Sequence, residues 1–244
     1  MSNTVYLCDC MDYMKGLPDN AFDLAIVDPP YGIGFAGEKP SMTVGLRKDG
    51  TTRVDKTWRS RSISNIKYKE KDWDNSPPRK EYFNEVLRIS INQIIWGANY
   101  FTDMIPPFKG IIVWDKKAPA GFSLSDGELA AVSCSSKMRI FRYLWSGYAK
   151  EKKEYRIHPT QKPVDLYKWL LKNYAKPGQT IFDSHVGSGS IRIACHDMGY
   201  EFTGCELDPD YHAAQEDRFN THKAQGQLFD PVELTKNEYV QVAL

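Results

Sequence analysis

The sequence predicts an α/β fold, a mostly parallel sheet with helices on both faces, and three observations carry that expectation. Short apolar runs of strand length alternate along the chain with stretches of helical spacing, the pattern of βα repeats. Four of these runs end at or beside a carboxylate, at Asp9, Asp28, Asp183 and Glu206. One of them, Ile181-Phe182-Asp183, leads into a glycine-containing loop and a helix start, a βα turn able to receive a ligand. If the carboxyl-terminal strands sit beside the amino-terminal ones, all four acids share the carboxyl edge of the sheet, where α/β proteins bind ligands.

The elements follow in order. Val5 to Cys8 reads as a short strand ending at Asp9, with Cys8 and Cys10 alternating on one face; a helical stretch through Met14 stops near Gly16 and Pro18. Phe22 to Val27 is a buried strand. Tyr82, Phe83, Val86 and Leu87 have helical spacing, and Ile94-Ile95-Trp96 and Ile111 to Trp114 are apolar strands. Leu129 to Val132 and the alternating Ile140 to Trp145 are further strands. Leu166, Trp169, Leu170 and Tyr174 form a core-facing helix stripe, closed by Pro177-Gly178 before the strand at Ile181; Thr203 to Glu206 ends the last strand.

Length and composition suit one domain over residues 1–244, with an inserted segment at 34–75 and a tail at 225–244. No early stretch is apolar and long enough for a signal peptide or membrane span, so a cytoplasmic protein is expected, bacterial or phage-encoded, with no membrane partner. Five scattered cysteines, Cys8, Cys10, Cys134, Cys195 and Cys205, read as reduced thiols. No second ligand pair stands at zinc-site spacing, so no metal is expected.

Asp28-Pro29-Pro30-Tyr31 places an acid, a stiff kink and an aromatic at a strand end. Such a set suits chemistry on a nucleobase amino group, whose lone pair is delocalised into the ring. Asp28 can accept one amino hydrogen and the Pro29 carbonyl the other, its aim held by two locked φ angles, while Tyr31 offers a face for stacking. The same four residues also fit an ordinary turn. Downstream, Asp183-Ser184-His185-Val186-Gly187-Ser188-Gly189-Ser190 presents oriented amides, and Glu206 is placed for ribose hydroxyls. A nicotinamide site fits less well, because Arg192 stands where the third glycine would be.

Together these pieces resemble the DNA amino-methyltransferases that act on adenine N6 or cytosine N4. Asp28 to Tyr31 resembles their catalytic motif, Asp183 to Ser190 their methionine-binding glycine motif, and Glu206 their ribose-binding acid. His158-Pro159-Thr160-Gln161-Lys162-Pro163 is similar to the segment that lines the methionine end of the cofactor. The order, catalytic motif first and cofactor motif last, resembles the permuted beta class, and the similarity spans most of the chain. The resemblance implies a Rossmann-like class I methyltransferase fold with a seven-stranded sheet in circularly permuted motif order. It implies S-adenosyl-L-methionine as cofactor, held by Asp9, His158, Thr160, Lys162, Asp183, His185, Gly187, Ser188, Gly189 and Glu206. It further implies adenine as target, since relatives acting on cytosine more often carry Ser in place of the Asp, and a homodimer among the expected assemblies. Ser184 and His185 depart from the family, which has Pro and Phe there; that departure favours the rival expectation of a non-catalytic nucleic-acid-binding subunit. No Pro-Cys pair is present to serve cytosine C5 chemistry.

Residues 34–75 carry ten basic against six acidic side chains, net +4, in a chain of net +1. Positive charge beside the catalytic strand suits a docked polyanion, so Arg47, Lys48, Arg53, Arg59 and Arg61 are the expected contacts to double-stranded DNA, with Trp58 and Tyr68 interleaved. A solvated charged loop is the plain alternative. An amino group inside a duplex cannot reach Asp28, so the target base is expected to flip out of the stack.

Overall fold

The computed structural model describes residues 2–34, 44–46, 52–54, 71–118, 125–146, 149–150, 152 and 154–225. Chain order is β1 (Asn3–Leu7), α1 (Cys10–Lys15), β2 (Phe22–Val27), β3 (Val44–Leu46), β4 (Thr52–Val54), α2 (Lys80–Ile89), β5 (Ser90–Trp96), a 3-10 turn (Ala98–Tyr100), β6 (Gly110–Asp115), β7 (Gly127–Val132), β8 (Met138–Arg142), β9 (Trp145–Ser146), β10 (Ala149–Lys150), α3 (Val164–Tyr174), β11 (Thr180–Asp183), α4 (Ser190–Met198), β12 (Glu201–Glu206) and α5 (Pro209–Ala224).

The main sheet has the order β1-β12-β11-β2-β5-β7-β6-β8. The expected seven strands are therefore eight. At one edge β8, which includes the start of the strand expected from Ile140, pairs parallel to β6 from Ile111 against Met138 to Asp115 against Arg142 and satisfies backbone groups that β6 would otherwise present as an open edge. From β1 to β5 every pairing is parallel; only β7 runs antiparallel, between β5 and β6.

The halves of the chain interleave at β11. Its pairing to β2 is short, Ile181 with Leu24 and Phe182 with Ala25, and is pinned at the amino end by Asp23, which accepts hydrogen bonds from the Thr180 amide (2.9 Å) and hydroxyl (3.0 Å). That register brings the ends of β2 and β11 to the same edge. Successive β2 residues face opposite layers, as a pleated strand requires. Leu24 and Ile26 join the core with Leu166, Leu170 and Ile191 of α3 and α4, while Ala25 and Val27 pack with Met14, Phe83 and Val86 of α1 and α2.

Three local readings change. Cys8 and Cys10 do not share a strand face: β1 ends at Leu7, and Asp9 accepts the Met11 amide at 2.7 Å, which caps α1 and starts it at Cys10. The expected strand from Ile140 to Trp145 divides into β8 and β9. The helix α5 is an addition to the expected elements: its buried Tyr211, Gln215 and Phe219 form only a thin stripe in the sequence, although Asp208 as cap followed by Pro209 marks its start. Arg47, Lys48, Arg59, Arg61, Trp58 and Tyr68, with 226–244 of the tail, lie outside the described residues, and Arg53 falls within β4.

Candidate active site

Asp28 follows directly on the last residue of β2, its side chain is 17% exposed, and both its oxygens are engaged. Tyr31 donates its hydroxyl to Oδ1 at 2.7 Å, and the Lys162 ammonium donates to Oδ2. Lys162 is 3% exposed and also pairs at 3.0 Å with Glu128 Oε2, on β7. The second Glu128 oxygen takes Lys116 at 2.6 Å. Burial alone would push the Glu128 carboxyl up, but Lys162 and Lys116 hold it down to about 2. Burial raises the Asp28 carboxyl, outweighing the pull of Lys162. Burial works against the Lys162 ammonium too, and there the two carboxylates win and raise its pKa.

The Tyr31 ring stacks on Tyr100, with centroids 5.0 Å apart and planes 17° off parallel, and meets Phe101 edge-on. Gly97 makes that placement possible. Its φ of +73° suits glycine, and a Cβ there would lie 2.3 Å from Tyr31 Cε1.

The glycine loop lies one strand away. Asp183 is fully buried at the end of β11 and accepts the His185 amide at 3.0 Å; burial raises its carboxyl to about 8. Ser184 and His185, the two departures from the family pattern, are built into the wall. The Ser184 hydroxyl bonds to Tyr82 Oη at 2.6 Å and to His185 Nδ1 at 2.9 Å, and burial lowers the imidazole to about 4, so it is neutral at pH 7. Gly187 takes φ +52° and gives its amide to Glu206 Oε2 at 2.8 Å, while Oε1 accepts the Asp208 amide at 2.9 Å. Ser188 is supported from behind: Arg218 of α5 donates to its carbonyl at 2.7 Å. Gly189 caps α4. Asp9 reaches the same edge, because the Cys8 amide bonds to the Glu206 carbonyl at 3.1 Å.

The segment from His158 to Pro163 joins the two regions. The buried His158 ring lies beside Gly187, 3.7 Å from the position of a Cβ there, and packs edge-on against Tyr211 at 4.3 Å. Burial first, then Lys162, lowers its pKa to about 3. Thr160 bonds to His158 Nδ1 through its hydroxyl at 3.1 Å. Four residues after His158, Lys162 reaches Asp28. One short segment thus touches both the glycine loop and the catalytic-motif acid.

Glu128, Lys116 and Tyr100 stand in no motif, so sequence reasoning misses them; β7 begins at Gly127, two residues before the apolar run expected from Leu129, and so takes in Glu128. Sequence reasoning also misses the return limb of the inserted segment. Lys71 pairs with Asp208 and, at 3.0 Å, with Asp210, and Trp73 lies 5.2 Å from the His158 ring. Asp74 accepts the Gly32 amide at 2.8 Å, and its carbonyl accepts the Gly34 amide. The two ends of the basic segment are thus tied together beside the catalytic motif and the His158 segment. Leu207, 68% exposed, adds an apolar surface beside Glu206.

A family model described as DNA methylase, of the N6/N4 type, matches residues 55–217, taking in the glycine loop and Glu206. The chain is 25% identical to the putative methylase YubD of Escherichia coli over 228 residues, 86% of this chain and 87% of that protein. Among solved structures, it resembles the complex of M1.HpyAVI with SAM (TM-score 0.53, 18% identity, 88% of this chain and 98% of the other). It also resembles the cytosine-N4-specific PvuII DNA methyltransferase (TM-score 0.56, 12% identity, 96% and 90%). Those likenesses establish the class I methyltransferase fold.

Proposed function

The chain belongs to the N6/N4 DNA methylase family, and from that premise we propose that it is a DNA adenine-N6 methyltransferase using S-adenosyl-L-methionine and acting on a base turned out of double-stranded DNA. The observation that supports the reading is the contact of one six-residue segment with both motifs, His158 beside Gly187 and Lys162 on Asp28, which brings Asp28 and the glycine loop close to one another.

The crevice suits the cofactor. Gly187 holds a backbone that lacks a Cβ toward His158, Glu206 presents a carboxylate fixed by two amides, and Leu207 adds an exposed apolar side chain next to it. The loop from Asp183 through His185 to Ser188 and Gly189, with His158 and Thr160, would hold the methionine end; Glu206 would hold the ribose and Asp9 would lie toward the adenine. When bound, S-adenosyl-L-methionine supplies an electrophilic methyl group.

The remaining work belongs to the chain. The Tyr31–Tyr100 stack forms an aromatic platform for the flipped base, and unstacking that base costs a few kcal/mol that DNA contacts must offset. Asp28 and the Pro29 carbonyl take the two amino hydrogens, with Pro29 and Pro30 fixing the direction of that carbonyl. Asp28 then stabilises positive charge growing on the nitrogen from a prearranged position in a partly dry site. The proton is lost to solvent after transfer, so no strong base is assigned. Adenine is the target because the first catalytic residue is Asp. Arg47, Lys48, Arg53, Arg59 and Arg61 contact the DNA backbone.

Incubation of the protein with methyl-labelled cofactor and unmethylated genomic DNA, followed by nucleoside analysis, tests the reading. N6-methyladenine is expected. N4-methylcytosine as sole product overturns the adenine assignment, and bound cofactor with no methylated nucleoside overturns the enzyme in favour of a nucleic-acid-binding subunit.

A further inference from the structure

Asp28 has two oxygens and, before any base arrives, both hold hydrogen bonds. Of its two partners, the Lys162 ammonium matters more, because a cation on the carboxylate opposes the role of a negative charge waiting for positive charge to form on the base. Lys162 does not rest on Asp28 alone. Glu128 Oε2 lies 3.0 Å from the same ammonium and 3.3 Å from the Tyr31 hydroxyl, so it offers a second acceptor to each of the two groups that engage Asp28. Glu128 is itself anchored by Lys116 at 2.6 Å, and Lys116 lies over the Trp114 ring at 5.0 Å. The carboxylate that shares Lys162 is therefore the better fixed of the two, tied to a rigid strand in the sheet.

We propose that Glu128 is a positioning residue for the methylation reaction: it draws Lys162 and the Tyr31 hydroxyl away from Asp28 as the base amino group arrives, so that Asp28 meets the substrate as an uncommitted carboxylate. The inference rests on the assignment of Asp28 made above. Lys162 acquires a role on the substrate side of the crevice, in addition to lining the methionine end. Both acceptors are within reach of one ammonium, so the transfer needs only a rotation of the lysine side chain, and the carboxylate left behind faces the reacting nitrogen.

Charge balance makes the idea testable. The groups facing this cluster among the described residues are Lys116, Lys162, Glu128 and Tyr31, with Tyr167 of α3, Tyr82 of α2, Asp183 of β11 and His158 close enough to interact. Removing the cation leaves Asp28 beside a like charge. Removing Glu128 leaves Asp28 with the full hold of Lys162. The acidic limb of the transfer rate against pH, where Asp28 must lose its proton, therefore moves in opposite directions in the two variants.

Single-turnover methylation of unmethylated genomic DNA at saturating labelled cofactor, measured from pH 5 to 9, reads that limb. Lys162→Met is expected to move it up by about one to three pH units and to regain activity as the pH rises. Glu128→Gln is expected to move it down and to lower the rate on the plateau, with cofactor affinity by calorimetry unchanged. Lys162→Arg, which keeps the charge, leaves the limb in place. A limb that stays fixed in Glu128→Gln, with any loss of rate matched by loss of folded protein, overturns the inference, and that isosteric variant decides alone if Lys162→Met does not fold. Transfer by the native enzyme with unmoved limbs refutes only the role of Glu128; no transfer by the native enzyme removes the reading of Asp28 and this inference with it.

Discussion

Replacing Gly97 by Ala separates backbone strain from displacement of the aromatic platform, because the chain supplies its own control. Gly97 and Gly178 both sit in left-handed backbone, at φ +73° and +83°. An alanine at Gly178 would meet nothing within 4 Å, so it bears only the conformational cost, about 1 to 2 kcal/mol. An alanine at Gly97 bears the same cost and also drives its Cβ to 2.3, 2.6 and 2.9 Å from three atoms of the Tyr31 ring. That ring is held by Tyr100 on one side, by Phe101 at its edge and by its hydroxyl on Asp28, so it cannot swing aside freely. Overpacking of this kind adds about 1 to 3 kcal/mol. At about 2 to 4 °C per kcal/mol for a chain of this size, Gly178→Ala should melt roughly 2 to 8 °C below the native protein and Gly97→Ala roughly 4 to 20 °C below it. Circular dichroism melts give the stabilities, and single-turnover methylation at a temperature where both variants are folded gives the consequence: Gly178→Ala keeps the native rate, and Gly97→Ala loses rate while its cofactor affinity stays. Equal melting temperatures and equal rates for the two variants would show that Tyr31 is not braced against Gly97 and would remove the platform from the mechanism.

The pH dependence of stability in the cofactor-free protein follows from three buried groups. His158 and His185 have folded pKa values of about 3 and 4 against 6.5 for an ordinary histidine, so as pH falls below 6.5 the unfolded chain takes up protons that the folded chain refuses, and stability is lost. Asp183, raised to about 8 from 3.8, works the other way: its folded form keeps a proton that the unfolded chain gives up, and stability falls as pH rises toward 8. Two imidazoles against one carboxyl give a net rise of about 1.4 kcal/mol per pH unit from pH 4.5 to 6 and a decline of similar slope from 7 to 8, so urea unfolding should show a maximum near pH 6.5. The carboxyls of Asp28 and Glu206, raised by burial, work in the same direction as Asp183 from the ordinary carboxylate range upward; a stability that climbs steadily from pH 6.5 to 8 contradicts the assignment of a protonated Asp183. Neutralising Arg47, Lys48, Arg53, Arg59 and Arg61 together should weaken DNA binding and reduce the slope of log affinity against log salt by up to about 4.5, with cofactor binding intact, as followed by fluorescence anisotropy. An unchanged slope assigns the charge of this segment to solvation.

Much of the candidate site is legible in the sequence because its residues stand in short local motifs. Asp28 to Tyr31 is a strand end stiffened by two prolines, and Asp183 to Ser190 is a strand, a loop and a helix start; each depends on neighbours within a few residues, which a sequence displays directly. The parallel arrangement followed from the alternation of strands and helices, and the common edge of Asp9, Asp28, Asp183 and Glu206 followed from that arrangement. Only the tertiary structure decided what those residues face. Lys162 meets Asp28 across 134 positions, Glu128 joins them from β7, antiparallel to its neighbours in the main sheet, Tyr100 stacks on Tyr31 because a left-handed glycine admits the ring, and Lys71 and Trp73 meet Asp208 and His158. Contacts of that kind arise when separate elements pack, and their energies depend on burial and charge balance that no single segment contains.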